Sequence, residues 1–110
     1  MHELSICRGL LRQVQAIAGR APVHRVTLRV GPLSGVDPGL LGRAWEVAAP
    51  GSALVIEAPP LRVRCRACGA ETAATMDRLT CGACGDWHTD LLSGDELLLV
   101  AVELEEPAHV

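Results

Sequence analysis

The chain contains no lysine, phenylalanine or tyrosine, and only two tryptophans, Trp45 and Trp87, among its 110 residues. Stacking platforms for bases are therefore scarce, and any core must be built from Leu, Val, Ile and Ala. Positive charge is not in excess. Ten arginines against thirteen acids leave a formal charge of −3, so nothing draws the chain to a phosphate backbone. No apolar run is long enough to span a bilayer, and the opening residues lack the plan of a signal peptide. A cytoplasmic location with no membrane partner is the expectation. Thiols stay reduced there, so paired CxxC motifs read as metal ligands rather than disulfides. With 49% hydrophobic residues, the chain can bury one modest core, as one domain or one domain with a small insertion.

What is present centres on two cysteine knuckles, Cys65-Arg-Ala-Cys68-Gly69 and Cys81-Gly-Ala-Cys84-Gly85. Two thiolates three positions apart on a tight turn grip one ion, and a trailing glycine lets the backbone fold beneath the sulfurs. The second knuckle supplies the other half of a tetrahedron. Four sulfurs with no histidine in the spacing favour a closed, structural Zn²⁺ site, with no open position for catalysis. Four thiolates and one Zn²⁺ would take the net charge from −3 to −5. Residues 66–90 are poor in large apolar side chains, so this piece needs metal to fold. Binding such an ion contributes on the order of 10 kcal/mol. His88, four positions past Cys84, reads as a surface histidine or a donor to a thiolate.

The rest of the chain reads as α+β. Leu4 to Ala18 carries a one-sided apolar stripe through Cys7, Leu10 and Val14, stopped by Gly19. Cys7 lies inside the stripe, which makes it a buried, inert thiol. His24 to Val30 alternates, with Val26, Leu28 and Val30 on one face, and predicts a half-buried strand. A turn-rich segment, Gly31 to Val36, precedes a second helix with Asp37 as its cap and Pro38 at its first position; Pro50-Gly51 ends it. Ala53 to Ala58 predicts another strand. Glu96 to Leu104 is a long apolar run, which suits a central strand buried on both faces. The expected architecture is a small mixed sheet with two helices (residues 1–61 and 93–106), an inserted four-cysteine zinc ribbon (62–92) and a frayed tail (107–110).

The opening Met1-His2-Glu3 offers a second metal chemistry. A bulky second residue blocks removal of an initiator methionine, so the α-amine of Met1 is expected to persist. That amine, the His2 amide nitrogen and the His2 imidazole can close adjoining chelate rings, with Glu3 adding a carboxylate or a backbone nitrogen. Nitrogen-rich, planar or tetragonal donor sets suit Ni²⁺ and Cu²⁺, whereas a sulfur tetrahedron suits Zn²⁺. Standing alone, a histidine at position 2 is usually an ordinary exposed side chain, and the donor count does not by itself decide for metal.

Taken in order, Met1 to Cys7, Gly31-Pro-Leu-Ser-Gly-Val-Asp37, the two knuckles and Ser93-Gly-Asp-Glu-Leu97 resemble the HypA/HybF family of nickel-delivery proteins for [NiFe] hydrogenase maturation. The resemblance spans nearly the whole chain. It implies a transient nickel site with His2 as the essential ligand, supported by Met1, Glu3 and Asp37, and structural zinc on Cys65, Cys68, Cys81 and Cys84. It also implies a metallochaperone rather than an enzyme, as monomer or homodimer. The implied partners are a HypB-type GTPase and the hydrogenase large subunit, with urease served in some bacteria. Asp37 keeps two readings, helix cap and nickel contact. One departure stands out: some relatives place histidines against the knuckles, where they exchange with cysteine as acidity changes. Here glycines follow both knuckles, so such switching is not expected.

Two other function classes compete with this one. Arg62, Arg64, Arg66 and Arg78 cluster around the first knuckle and raise a ribbon that binds nucleic acid or the transcription machinery. Net acidity, Glu71, Asp77 and Asp86 nearby, and the lack of stacking aromatics beyond Trp87 oppose it. A thiol–disulfide enzyme normally carries a single CxxC at a helix start, and two glycine-backed copies argue against one.

Overall fold

The computed structural model describes residues 3–105; Met1, His2 and the expected tail at 107–110 lie outside the described residues. In chain order the elements are α1 (Glu3–Ala18), β1 (Val23–Val30), α2 (Pro38–Ala48), β2 (Ala53–Glu57), β3 (Arg62–Cys65), β4 (Glu71–Ala73), β5 (Thr89–Ser93) and β6 (Leu97–Leu104). Two three-stranded sheets form, ordered β2-β1-β6 and β4-β3-β5. The fold is α+β, as the helical stripe and the alternating strand predict.

The chain divides into two compact units. The first takes residues 3–28, 36–57 and 98–105. Its core is aliphatic apart from one indole: Cys7, Leu10 and Val14 from α1, Val26 and Leu28 from β1, Leu41 and Trp45 from α2, all 8% exposed or less. Each large side chain buried this way contributes roughly 1.5–3 kcal/mol. The Trp45 indole N–H donates to the Ser52 carbonyl at 3.0 Å, so its polar edge is satisfied. Helix α2 starts where the Asp37-Pro38 pair places it. Asp37 Oδ1 accepts the N–H groups of Gly39 at 2.8 Å and Leu40 at 3.1 Å, two donors that the helix leaves unpaired.

Gly31 N–H bonds Glu96 O at 2.8 Å, and Glu105 N–H bonds Pro22 O at 2.9 Å. Partner numbers fall along β6 as they rise along β1, so the pair is antiparallel. Strands β1 and β2 are joined through α2, and residues at the start of both (Val23 and Ser52) line one cavity. They therefore run in the same direction, and the sheet is mixed.

One expectation is overturned here. The run 96–104 is not a central strand buried on both faces. Strand β1 holds the centre, and β6 is an edge strand with Leu98 50%, Val100 43% and Leu104 44% exposed. A continuous apolar run carries no period that could tell a doubly covered strand from an uncovered one.

The second unit takes residues 29–35 and 58–97. Strand β3 pairs antiparallel with β4 (Val63 with Thr72) and with β5 (Val63 with Leu91). Its interior is small: Val30, Leu61, Val63, Cys65 and Cys81 are the buried apolar residues. Arg64 with Glu71 (3.0 Å) and Arg66 with Asp90 (2.6 Å) clasp the strand pairs from outside. Exposed pairs of this kind set register more than they stabilise.

Candidate metal centre

The two knuckles repeat one hydrogen-bond scheme. Cys65 N–H bonds Ala70 O, and Gly69 N–H returns to Cys65 O; Cys81 N–H bonds Asp86 O, and Gly85 N–H returns to Cys81 O, all at 2.9–3.0 Å. The turn closes only with positive φ at the glycine, and Gly69 (77°) and Gly85 (79°) supply it. The first sulfur of each knuckle then faces two backbone donors. Ala67 and Cys68 N–H point at Cys65 Sγ at 3.3 and 3.4 Å, and Ala83 and Cys84 N–H at Cys81 Sγ at the same distances. At Cys81, N–H groups aimed this way favour the thiolate before any cation arrives.

The ribbon brings all four cysteines together, their sulfurs lying within 4.8 Å of one another. Across the knuckles, Cys65 stands 3.6 Å from Cys84, and Cys68 3.6 Å from Cys81. A tetrahedral ion with bonds of ~2.3 Å requires sulfur–sulfur separations of about 3.8 Å. The cluster therefore matches a closed four-sulfur site. Cys65 and Cys81 are buried, whereas Cys68 and Cys84 are exposed.

Electrostatics within the cluster tell the same story. The Cys84 and Ala83 N–H groups pull the Cys81 thiol down to about 6. The Asp86 N–H lowers Cys84, but its hydrogen bond to Cys65 and burial prevail and push it up to about 12. Four sulfurs this close cannot all ionise without a cation between them. His88 is not part of the cluster. Its Nδ1 lies 2.8 Å from Asp86 Oδ1, and its ring stacks on Trp87 with centroids 3.8 Å apart. Sequence reasoning missed the Asp86–His88 pairing; the Asp-x-His spacing was its only local signal.

The remaining candidate ligands lie in the first unit. Glu3 opens α1 and is 6% exposed. An acid in the first turn is favoured by the helix dipole. Its charge, after burial, helps push the Cys7 thiol above its usual range. Cys7 itself is fully buried, as its place in the stripe predicts, with Sγ 3.7 Å from Leu41 O. Both cap bonds of Asp37 fall on Oδ1, so Oδ2 takes no part in the cap. The His2 and Met1 donors lie outside the described residues.

An α+β unit joined to a four-cysteine ribbon defines a small metal-handling protein, and comparison with known proteins narrows the class. Residues 1–104 match the family model described as hydrogenase/urease nickel incorporation, metallochaperone, hypA. The hydrogenase maturation factor HypA of Nitrosospira multiformis is 46% identical over 112 residues, covering 94% of this chain and 97% of that one. The HypA of Streptomyces avermitilis is 40% identical, covering 96% and 88%. Among solved structures, that of the Ni metallochaperone HypA from Helicobacter pylori aligns with a TM-score of 0.62 at 24% identity, covering 94% of this chain and 97% of that one. A second HypA solution structure gives 0.67 at 23%, covering 96% and 97%. At those identities the structures speak for the fold alone. The chain belongs to the HypA family of nickel-incorporation metallochaperones, which are hydrogenase maturation factors and not enzymes. Among the described residues, no helix is long and apolar enough to cross a membrane.

Proposed function

We propose that the chain captures Ni²⁺ at its amino terminus and delivers it to a [NiFe] hydrogenase precursor, while Zn²⁺ on Cys65, Cys68, Cys81 and Cys84 shapes the ribbon. The observation that carries the nickel half is Met1-His2-Glu3 inside a family match that starts at residue 1. The His2 imidazole, the His2 amide and the Met1 amine form a nitrogen set suited to Ni²⁺, with Glu3 and Asp37 as supporting carboxylates. Delivery requires a site that captures the ion and still lets it go, and few donors at a chain end meet that requirement better than a closed cage. The zinc half is supported by sulfur separations near those of a tetrahedral four-sulfur site.

The work is placed in the cytoplasm, with a HypB-type GTPase and the hydrogenase large subunit as partners and urease maturation as a further outlet. The protein acts as a monomer or homodimer. Mutation tests the reading directly: His2→Ala should abolish stoichiometric nickel binding while one zinc per chain and the fold remain. Unchanged nickel affinity in that variant overturns it. An added amino-terminal tag should do similar damage by consuming the α-amine.

A further inference from the structure

The first unit holds a cavity of about 450 Å³ that the metal chemistry does not use. Leu11 and Val14 of α1 and Trp45 of α2 give it apolar walls. Its lining is negative for two separate reasons. Gly19 and Ala49, each one residue past the end of a helix, line it, so the carboxyl ends of α1 and α2 both open onto it. A helix end of this kind carries about half a negative charge, and neither last turn contains a basic residue. Glu105 lines the mouth as well, tied down by its N–H bond to Pro22 O at 2.9 Å. Ser52 also lines the cavity, and its hydroxyl is buried without a hydrogen-bond partner among the described residues.

An orphaned buried hydroxyl calls for a partner, and as an acceptor it can take a hydrogen bond from a ligand that also meets Glu105. Apolar walls below an acceptor-rich mouth suit a cation carried on an alkyl stem, whose methylenes pack while the head bonds. A guanidinium, with five donors in a planar fork, can reach several acceptors at once, where an ammonium concentrates its charge at one point. Arg20, the nearest arginine in sequence, is exposed and forms no part of the lining. We propose that this cavity is a binding site for an alkyl guanidinium, presented as an arginine side chain of a partner protein or as a free small guanidine. The site is independent of the nickel reading.

The test uses the zinc-loaded full chain carrying Trp87→Phe, which leaves Trp45 as its single indole. Trp87 is 73% exposed, so that change spares the core. Three probes are titrated against Trp45 emission: N-acetyl-arginine methylamide, n-butylguanidinium, and the neutral N-acetyl-norleucine methylamide. The guanidinium probes should saturate and bind roughly tenfold tighter than the neutral one, with the gap narrowing as salt rises. Glu105→Gln, at an exposed position, should weaken them roughly fivefold without moving the melting temperature. Ser52→Ala should weaken them too. Capped arginine binding at least as tightly as butylguanidinium assigns the site to a protein side chain, and the reverse order to a free guanidine. Equal binding of the neutral probe, or no saturable response to any probe, overturns the proposal.

Discussion

Asp86 Oδ1 accepts the backbone N–H of His88 at 2.7 Å and lies 2.8 Å from the Nδ1 of the same residue. One carboxylate oxygen thus holds both the chain and the ring, and Trp87 covers the ring face. The imidazole is engaged away from the thiols, although it sits only four residues past Cys84. Asp86→Asn and His88→Ala should each leave one zinc per chain, bound by sulfur alone, at pH 6 and at pH 8. Metal analysis with X-ray absorption at the zinc edge reads the outcome. Nitrogen entering the shell of the Asp86→Asn protein at either pH, and not that of the His88→Ala protein, would show that His88 can displace a cysteine.

Metal removal should affect the two units differently. The second unit buries only Val30, Leu61 and Val63 besides Cys65 and Cys81, too little apolar surface to offset the entropy of ordering its strands. Stripping the ion with a strong chelator should erase the β3–β4 and β3–β5 pairing. Helices α1 and α2, packed on their own core, should keep their amide protection. Hydrogen exchange resolved by residue separates the two responses, and loss of protection throughout would contradict this picture.

Cys7 gives the first unit an alkaline limit. Burial, then the Glu3 charge, raises its pKa, so the folded state holds the thiol proton more tightly than the unfolded chain does. The stabilisation from that raised value is whole below the unfolded thiol pKa of about 8.5 and is lost as pH climbs through the folded one. Melting temperature should therefore fall as pH rises above about 8.5, and fall less in Cys7→Ala, measured against each protein's own value at pH 8. Parallel curves for the two proteins would refute the assignment.

The two roles of Asp37 can be separated by one atom. Asp37→Ala removes the acceptor for Gly39 and Leu40 and should cost about 1 kcal/mol in urea denaturation. Asp37→Asn keeps an oxygen acceptor and should leave stability nearly intact. If the carboxylate also supports nickel, Asn will still lower nickel affinity in calorimetric titration. An Asn variant with unaltered affinity would leave the residue as a cap alone.

A packed core costs more to disturb. Leu28 on β1 is fully buried, and Leu28→Ala should cost about 2–5 kcal/mol by loss of contact and creation of a cavity. The exposed Leu98 on the β6 edge should cost far less when truncated. Comparable losses at the two positions would mean that β6 is covered after all.

Much of this molecule could be read along the chain because the relevant physics is local. A CxxC turn followed by glycine closes within a few residues, so spacing was enough to bring each pair of sulfurs together. The Asp-Pro start of α2 and the Cys7 stripe of α1 are likewise decided within a turn or two of helix. By contrast, the Asp86 grip on His88 depends on side-chain orientation, which spacing suggests but does not impose.

Chain order therefore settled which residues make each knuckle, where each helix starts and which face of β1 is apolar, since those features depend on neighbours three or four positions away. The place of β6 at the sheet edge and the cavity where both helices end depend on pairings between distant segments. Such pairings are chosen by the energy of the whole packed unit, and no local pattern records them.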